Sequence, residues 1–517
     1  SPFPPLRTSP WPPMRLSPLF PPSARSRAAW LPRLGRRRAS SKLSVAALNQ
    51  NVVRAEYAVR GELIARASEL KKQLAREPTS LAFQKLVECN IGNPQALKQQ
   101  PISFNRQVLA LLAHPTMLEW PEVVARFPPD VIRRAKEYLD AIPQGIGAYS
   151  ESQGFAIVRQ QVADFISARD GVPADPKDIF LTDGASKGVQ TILKAVLSSA
   201  KDGVLVPIPQ YPLYSASLVL DGAQMIGYYL SETNGWNMPI EELETSLLSA
   251  TKRGVEMKAL VVINPGNPTG NSLPLENMRA IIEFCGKHNL VLMADEVYQE
   301  NVYDESRPFY SFKKVLSEMS PRPPVQLVSY HSTSKGFLGE CGLRGGYYEL
   351  VGFDPDVQAQ LLKLASISLC SNTTGQIMTG LMVQPPKPGD ASYDSYVSER
   401  DGILNSLKRR SAKLVTALNK LEGVHCNKAE GAMYVFPQIS LPDKAVAAAQ
   451  QAGKAADVFY ALALLENTGI VVVPGSGFGQ REGTYHFRTT FLPPEDDMDA
   501  VIERMSKFHT EFLAKYA

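Results

Sequence analysis

The sequence predicts an α/β fold: an open sheet with helices packed against it. Two observations carry this. Short apolar runs at residues 259–263, 289–294 and 325–330 read as buried strands, and each ends abruptly in polar residues, glycine or proline. Between and around them lie longer helical runs, such as the one that follows residue 184 and continues to about 198. In open α/β sheets ligands bind beyond the carboxyl ends of the strands, so the polar residues after each run are the first candidates for chemistry.

The strand at 325–330 leads into Ser-Thr-Ser-Lys at 332–335, a glycine-rich loop, and Arg344. Ser332 stands three residues before Lys335 and Arg344 nine after it. A lone lysine is ordinarily a solvated surface residue. Here a hydroxyl and a guanidinium flank it, and glycines allow backbone to come close to a ligand. That grouping suits a phosphate monoester whose aldehyde can condense with the amine. Pyridoxal 5'-phosphate has that chemistry, and it further requires a carboxylate at its ring nitrogen. The strand at 289–294 delivers Asp295, with Tyr298 three residues on, and the strand at 259–263 ends in Asn-Pro-Gly-Asn-Pro-Thr-Gly at 264–270, which contains Asn267. Alone, that stretch reads as a turn and Asp295 as a helix cap. In this order with Ser332 and Lys335, they read as one site.

Five further phrases join these: Cys-Asn-Ile-Gly-Asn-Pro-Gln at 89–95, Ile-Pro-Gln-Tyr-Pro-Leu-Tyr-Ser-Ala at 208–216, Val-Ile-Asn-Pro-Gly-Asn-Pro-Thr-Gly at 262–270, Asp-Glu-Val-Tyr-Gln-Glu-Asn at 295–301, and Gly-Glu-Cys-Gly-Leu-Arg-Gly-Gly at 339–346. With them the chain, from about residue 48 to its end, resembles the class I aminotransferases of fold-type I, and in wording their alanine aminotransferase branch. The resemblance implies a large domain with a mostly parallel sheet (101–375), a smaller α/β domain (376–517), and an N-terminal arm with part of the small domain (48–100). It implies that Lys335 carries the cofactor, that Asp295 faces the ring nitrogen, and that Asn267 and Tyr298 hold the phenolic oxygen. Ser332, Arg344 and the backbone at Ala185 and Ser186 would seat the phosphate, and Tyr211 would stack on the ring. Tyr149, in a glycine-punctuated loop, would reach the cofactor phosphate of a partner chain, so a homodimer is expected. Gly92 and Arg488 would meet the substrate, Arg488 at its α-carboxylate, and residues 57–61 would line the same side. The broader class commonly has eight residues from lysine to arginine rather than nine; the alanine branch shares the longer loop, which keeps Arg344 on the phosphate.

The implied reaction passes the amino group of L-alanine to 2-oxoglutarate, giving pyruvate and L-glutamate by a ping-pong course. Glutamate:glyoxylate transfer is the alternative on the same residues. A catalytically dead regulator would need a lost lysine or an added DNA-binding module, and a carbon–sulfur lyase would release ammonia instead of transferring it.

From the residues themselves, the Ala185–Ser186 helix start offers unpaired N–H groups to an anion, against the simpler reading of Asp183 or Ser186 as a cap. Arg488 lies in a strand-like run after the glycine-rich turn at 475–479, where it would either point to water or grip a carboxylate with both nitrogens.

Composition bounds the rest. At 517 residues the chain is long enough for two packed domains. Apolar residues make up 44%, ordinary for a globular protein, and no run approaches bilayer length, so no membrane partner is expected. Five cysteines at 89, 285, 341, 370 and 426 lack metal or disulfide spacing, which implies free thiols and no metal. Residues 1–47 hold ten prolines and nine Lys or Arg, and no acid precedes Glu56. That composition predicts disorder and an organelle transit peptide, mitochondrial with plastid as the alternative. The first residue, not Met, suggests a truncated start. Without the nine basic residues, 46 remain against 51 acidic ones, so the body is acidic and no nucleic-acid partner is expected.

Overall fold

The computed structural model describes residues 43–57 and 61–517. The central element is a seven-stranded sheet: β1 (Ile179–Leu181), β2 (Asp202–Ile208), β3 (Gln224–Tyr229), β4 (Glu256–Ile263), β5 (Val291–Asp295), β6 (Leu327–Ser332) and β7 (Gly346–Val351). Their spatial order is β1-β7-β6-β5-β4-β2-β3. Neighbours β3, β2, β4, β5 and β6 pair in parallel, and β7 alone runs against them, antiparallel to both β6 and β1. The α/β fold read from the sequence is the fold observed.

Alternation of side chains explains how the sheet is covered on both faces. Leu205, Leu260, Val262, Leu292, Ala294 and Leu327 pack to one side with the helices Ile240–Lys252, Leu275–His288 and Phe312–Glu318. Val204, Val206, Ala259, Val261, Met293 and Val328 pack to the other, against α1 (Ala185–Val196), α2 (Leu213–Asp221) and the helix Pro355–Ser366. Each fully buried Val, Leu or Met side chain among these contributes roughly 1.5–3 kcal/mol.

Register then sets the site. Ile263 stands opposite Asp295, and Asp295 opposite Tyr330. Strands β4 and β5 therefore end level and β6 runs two residues further, so Asp295 and the loops bearing Asn267 and Lys335 lie together at the carboxyl ends of three adjacent strands.

A second group of short strands, β8 (Tyr434–Val435), β9 (Val473–Pro474) and β10 (Phe487–Thr490), forms an antiparallel sheet in the order β8-β10-β9. Its apolar residues share a core with the helices Glu62–Arg76, Tyr393–Leu418, Ala456–Thr468 and Met498–Tyr516. Val87 and Glu88 pair in parallel with Ile470 and Val471, so the chain before residue 90 is stitched to the chain after residue 470.

Two local expectations need correction. The run 469–473 reads as one strand but divides into Ile470–Val471 and Val473–Pro474, which pair with different partners. Residues 366–376 read from sequence as the start of a helix, but the helix begins only at Thr373: the Asn372 side chain caps it by accepting from Gly375 N at 3.2 Å, and Leu369 before it has a left-handed φ of 65°.

Asn49–Ala517 forms one compact unit. Of Ser1–Leu48, a unit of its own, residues 43–48 are described and contain the short turn Val45–Ala47. The leader predicted over 1–47 lies, up to residue 42, outside the described residues. Among the described residues no helix is long and apolar enough to cross a membrane.

Candidate active site

At the carboxyl edge of the sheet lies a cavity of about 360 Å³. Its lining includes Gly92, Ala185, Ser186, Tyr211, Asn267, Asp295, Tyr298, Ser332, Lys335, Arg344 and Arg488, all of them expected from sequence. Tyr57 and Ile91 also line it, while residues 58–60 are outside the described set. Tyr149 does not line it: the side chain is 77% exposed on its own chain.

One end of the cavity is built for an anion. Helix α1 starts without a side-chain cap. Asp183, the alternative cap, instead accepts from Asn372 N at 2.7 Å, which leaves the first N–H groups of α1 facing the cavity. Arg344 closes over this end, donating to the Asp183 carbonyl at 2.9 Å and to Ser186 Oγ at 3.2 Å. Gly184 is required here, since its φ is 74° and a Cβ would lie 2.4 Å from Arg344 Nη2. Ser332 Oγ donates to the Gly345 carbonyl at 3.2 Å and accepts from Ser334 N at 3.1 Å, bracing the loop that carries Lys335.

In the middle, Lys335 Nζ donates to the Gly92 carbonyl at 3.1 Å and lies 5.6 Å from the centre of the Tyr298 ring. Below it, Asp295 is buried; Oδ2 accepts from the Tyr214 hydroxyl at 2.9 Å, and Oδ1 has no partner among the described residues. Burial raises the Asp295 pKa, while the Tyr214 hydroxyl, the Val297 N–H and Lys335 draw it down; the net direction is upward. A cationic ring nitrogen at Oδ1 would supply the missing partner.

The other end carries a buried guanidinium. Arg488 on β10, 2% exposed, sits between the rings of Tyr434 and Phe478, at 4.1 and 4.6 Å. Tyr211 and Tyr57 join hydroxyl to hydroxyl at 2.9 Å along the wall.

Sequence reasoning missed two residues of this site. Tyr214 lies within the quoted run 208–216, three residues after Tyr211, and its helical position turns it toward Asp295. Tyr434 sits on β8, with its hydroxyl accepting from Tyr298 at 3.4 Å. Burial alone would raise the Tyr434 pKa, but Lys335, Arg488 and the Tyr298 hydroxyl outweigh it and the net direction is downward. Only the local Gly-Ala-Met-Tyr phrase at 431–434 marks it.

An uncapped helix start under an arginine, an amine and a buried acid with a free oxygen fit the phosphate, aldehyde and ring nitrogen of pyridoxal phosphate. On a sheet of this topology they define a fold-type I, pyridoxal-phosphate-dependent enzyme. A model of the family described as aminotransferase class I and II matches residues 124–505. The chain is 54% identical over 473 residues to the probable mitochondrial alanine aminotransferase of Dictyostelium discoideum, covering 90% of this chain and 89% of that one. It is 51% identical to glutamate–glyoxylate aminotransferase 2 of Arabidopsis thaliana, over 92% of this chain and 97% of the relative. Among solved structures, an alanine aminotransferase from Pyrococcus furiosus superposes with a TM-score of 0.71 at 24% identity, covering 90% of this chain and all of its own length (100%). The chain belongs to the aminotransferase class I and II family; it is a transaminase, and its cofactor is pyridoxal 5'-phosphate.

Proposed function

We propose that this chain transfers the amino group of L-alanine to 2-oxoglutarate, forming pyruvate and L-glutamate. The observation that carries the reading is the convergence of Lys335, Asp295 and Arg488 on one cavity from three separate elements. The 54% identity to an alanine aminotransferase supports the donor.

When bound, the cofactor supplies an electron-withdrawing ring that takes up charge as the substrate loses its Cα proton. Lys335 would hold the cofactor through Nζ and, once freed by the substrate's amino group, would act as the base that takes the substrate Cα proton and the acid that returns it. Asp295 keeps a proton on the ring nitrogen, with Tyr214 fixing the carboxylate. Asn267 and Tyr298 hold the phenolic oxygen. Arg344, Ser332 and the backbone N–H groups at Ala185 and Ser186 grip the phosphate. Tyr211 covers the ring face and keeps water out. Arg488 binds the substrate α-carboxylate through both terminal nitrogens, and Gly92 leaves room beside it.

Tyr149, exposed on its own chain, serves the phosphate of a second copy, so the working unit is a homodimer. Residues 101–375 form the large domain, and 48–100 with 376–517 the arm and small domain. Residues 1–47 act as a mitochondrial transit peptide, in keeping with the name of the Dictyostelium relative.

Initial rates with L-alanine and 2-oxoglutarate varied together test this reading, parallel double-reciprocal lines being the expected result. A glyoxylate rate with glutamate far above the alanine rate would move the assignment to the activity named for the Arabidopsis relative.

A further inference from the structure

Behind the active site, on the opposite face of the sheet, lies a buried polar cluster that the mechanism above does not use. In the antiparallel ladder of β6 and β7, Ser329 stands opposite Glu349 and His331 opposite Tyr347, so these four side chains share one face. Asp295 pairs with Tyr330 and belongs to the other face. Glu296, the next residue, turns its carboxyl to the cluster's side and accepts from Phe312 N at 2.7 Å. It is 1% exposed, and among the described residues Oε2 has no partner and the side chain makes no ion pair.

The cluster's other charges are matched. Arg169 grips Asp170 with Nε and Nη2 at 2.7 and 2.6 Å, and Lys313 meets Glu349 at 2.5 Å. Arg169 Nη1 also donates to Gln299 Oε1 at 2.8 Å, while the backbone N–H and side-chain amide of Gln299 both donate to the Glu296 carbonyl, at 3.1 and 3.2 Å. The Glu296 N–H donates to the Tyr330 carbonyl at 3.2 Å. The turn Asp295–Tyr298 is thus held from behind on three sides.

We propose that Glu296 is a positioning residue for the cofactor-facing turn Asp295–Tyr298, acting from the far side of the sheet as an uncharged acid; this rests on the roles given to Asp295 and Tyr298 above. Charge balance supports the uncharged form. Two cations, Arg169 and Lys313, are taken in ion pairs by Asp170 and Glu349, and Glu296 has no paired cation among the described residues. His331 and Tyr347 complete the surroundings, and Glu300 lies in the field of Arg169 and Arg400. Burial pushes Glu296 up to about 8, with Arg169 and the Phe312 N–H pulling the other way. An anion here would be cut off from bulk solvent with no cation of its own, since Arg169 is already paired with Asp170.

The test uses the full-length holoenzyme and two readouts besides turnover: the rate at which bound cofactor is lost on dilution, and the pH midpoint of its absorbance. Glu296→Gln, which keeps shape without charge, is expected to stay within about twofold of the parent in both. Glu296→Ala is expected to lose cofactor roughly tenfold faster, the size of one buried hydrogen bond, with KM for L-alanine unchanged because Arg488 is untouched. Should Glu296→Ala fail to fold, Gln299→Leu, which cuts the turn from Arg169, takes its place with the same expectation. A folded Glu296→Ala or Gln299→Leu variant with parental cofactor loss overturns the proposal, as does a Glu296→Gln variant as impaired as the alanine one. Asp295→Asn is the control, expected to move both readouts; if it moves neither, the role of Asp295 falls and this inference with it.

Discussion

Arg488 Nη1 donates to Asn267 Oδ1 at 2.9 Å, and Nη2 donates to the Asn90 carbonyl at 2.5 Å. One guanidinium therefore ties the loop after β4, strand β10 and the segment before Gly92 into a single wall. Tyr434 and Phe478 clamp its plane. A planar fork fixed in this way suits a carboxylate, and an ammonium cannot reproduce it.

Arg488→Lys should accordingly raise KM for both amino and oxo acids by roughly 10- to 100-fold, the worth of one charge-assisted hydrogen bond. The absorbance of bound cofactor should not change. Steady-state kinetics with each substrate, alongside a spectrum, checks this.

Lys335→Ala removes the only amine lining the cavity among the described residues. Turnover should fall by at least about 10³-fold, since proton transfer loses its base. Borohydride treatment should no longer fix cofactor to the chain, as read by intact mass.

Gly92→Ala would set a Cβ 1.9 Å from the Tyr434 hydroxyl oxygen and 3.0 Å from Lys335 Nζ. Tyr434 is 2% exposed and has little room to retreat. The strain should cost roughly 1–3 kcal/mol, appearing as a lower Tm and a reduced kcat/KM for L-alanine.

Stability should fall with pH through Glu296. In the folded chain this acid is held up near 8, against 4.5 as its ordinary value. Between those values the unfolded chain gives up the proton while the folded one keeps it, so the contribution is complete below about 4.5 and lost as pH approaches 8. Glu296→Gln has no such proton, and its Tm advantage over the parent should grow from acid to mildly alkaline pH in paired thermal melts.

Much of this site was legible because chemistry follows strands. Asn267, Asp295 and Lys335 each come just after an apolar run, and the sheet's register aligns those ends. Arg344 and Arg488 were legible as charges in glycine-rich or apolar company. Tyr434 and Tyr214 were not, because a tyrosine in an apolar run gives no sign of which face it takes until its neighbours are known. Glu296 was hidden for the same reason: next to Asp295 in sequence, it is set by strand alternation on the opposite side of the sheet. Tyr149 marks a different limit: at 77% exposed it does not line the cavity of its own chain, and the role proposed for it needs a second copy.

The most direct measurement is a half-reaction: titrating the holoenzyme with L-alanine, with no oxo acid present, while following the absorbance of bound cofactor. The account predicts loss of the cofactor's starting band with one pyruvate formed per active site, and its return on adding 2-oxoglutarate. A folded holoenzyme whose band responds to L-glutamate and not to L-alanine would contradict it.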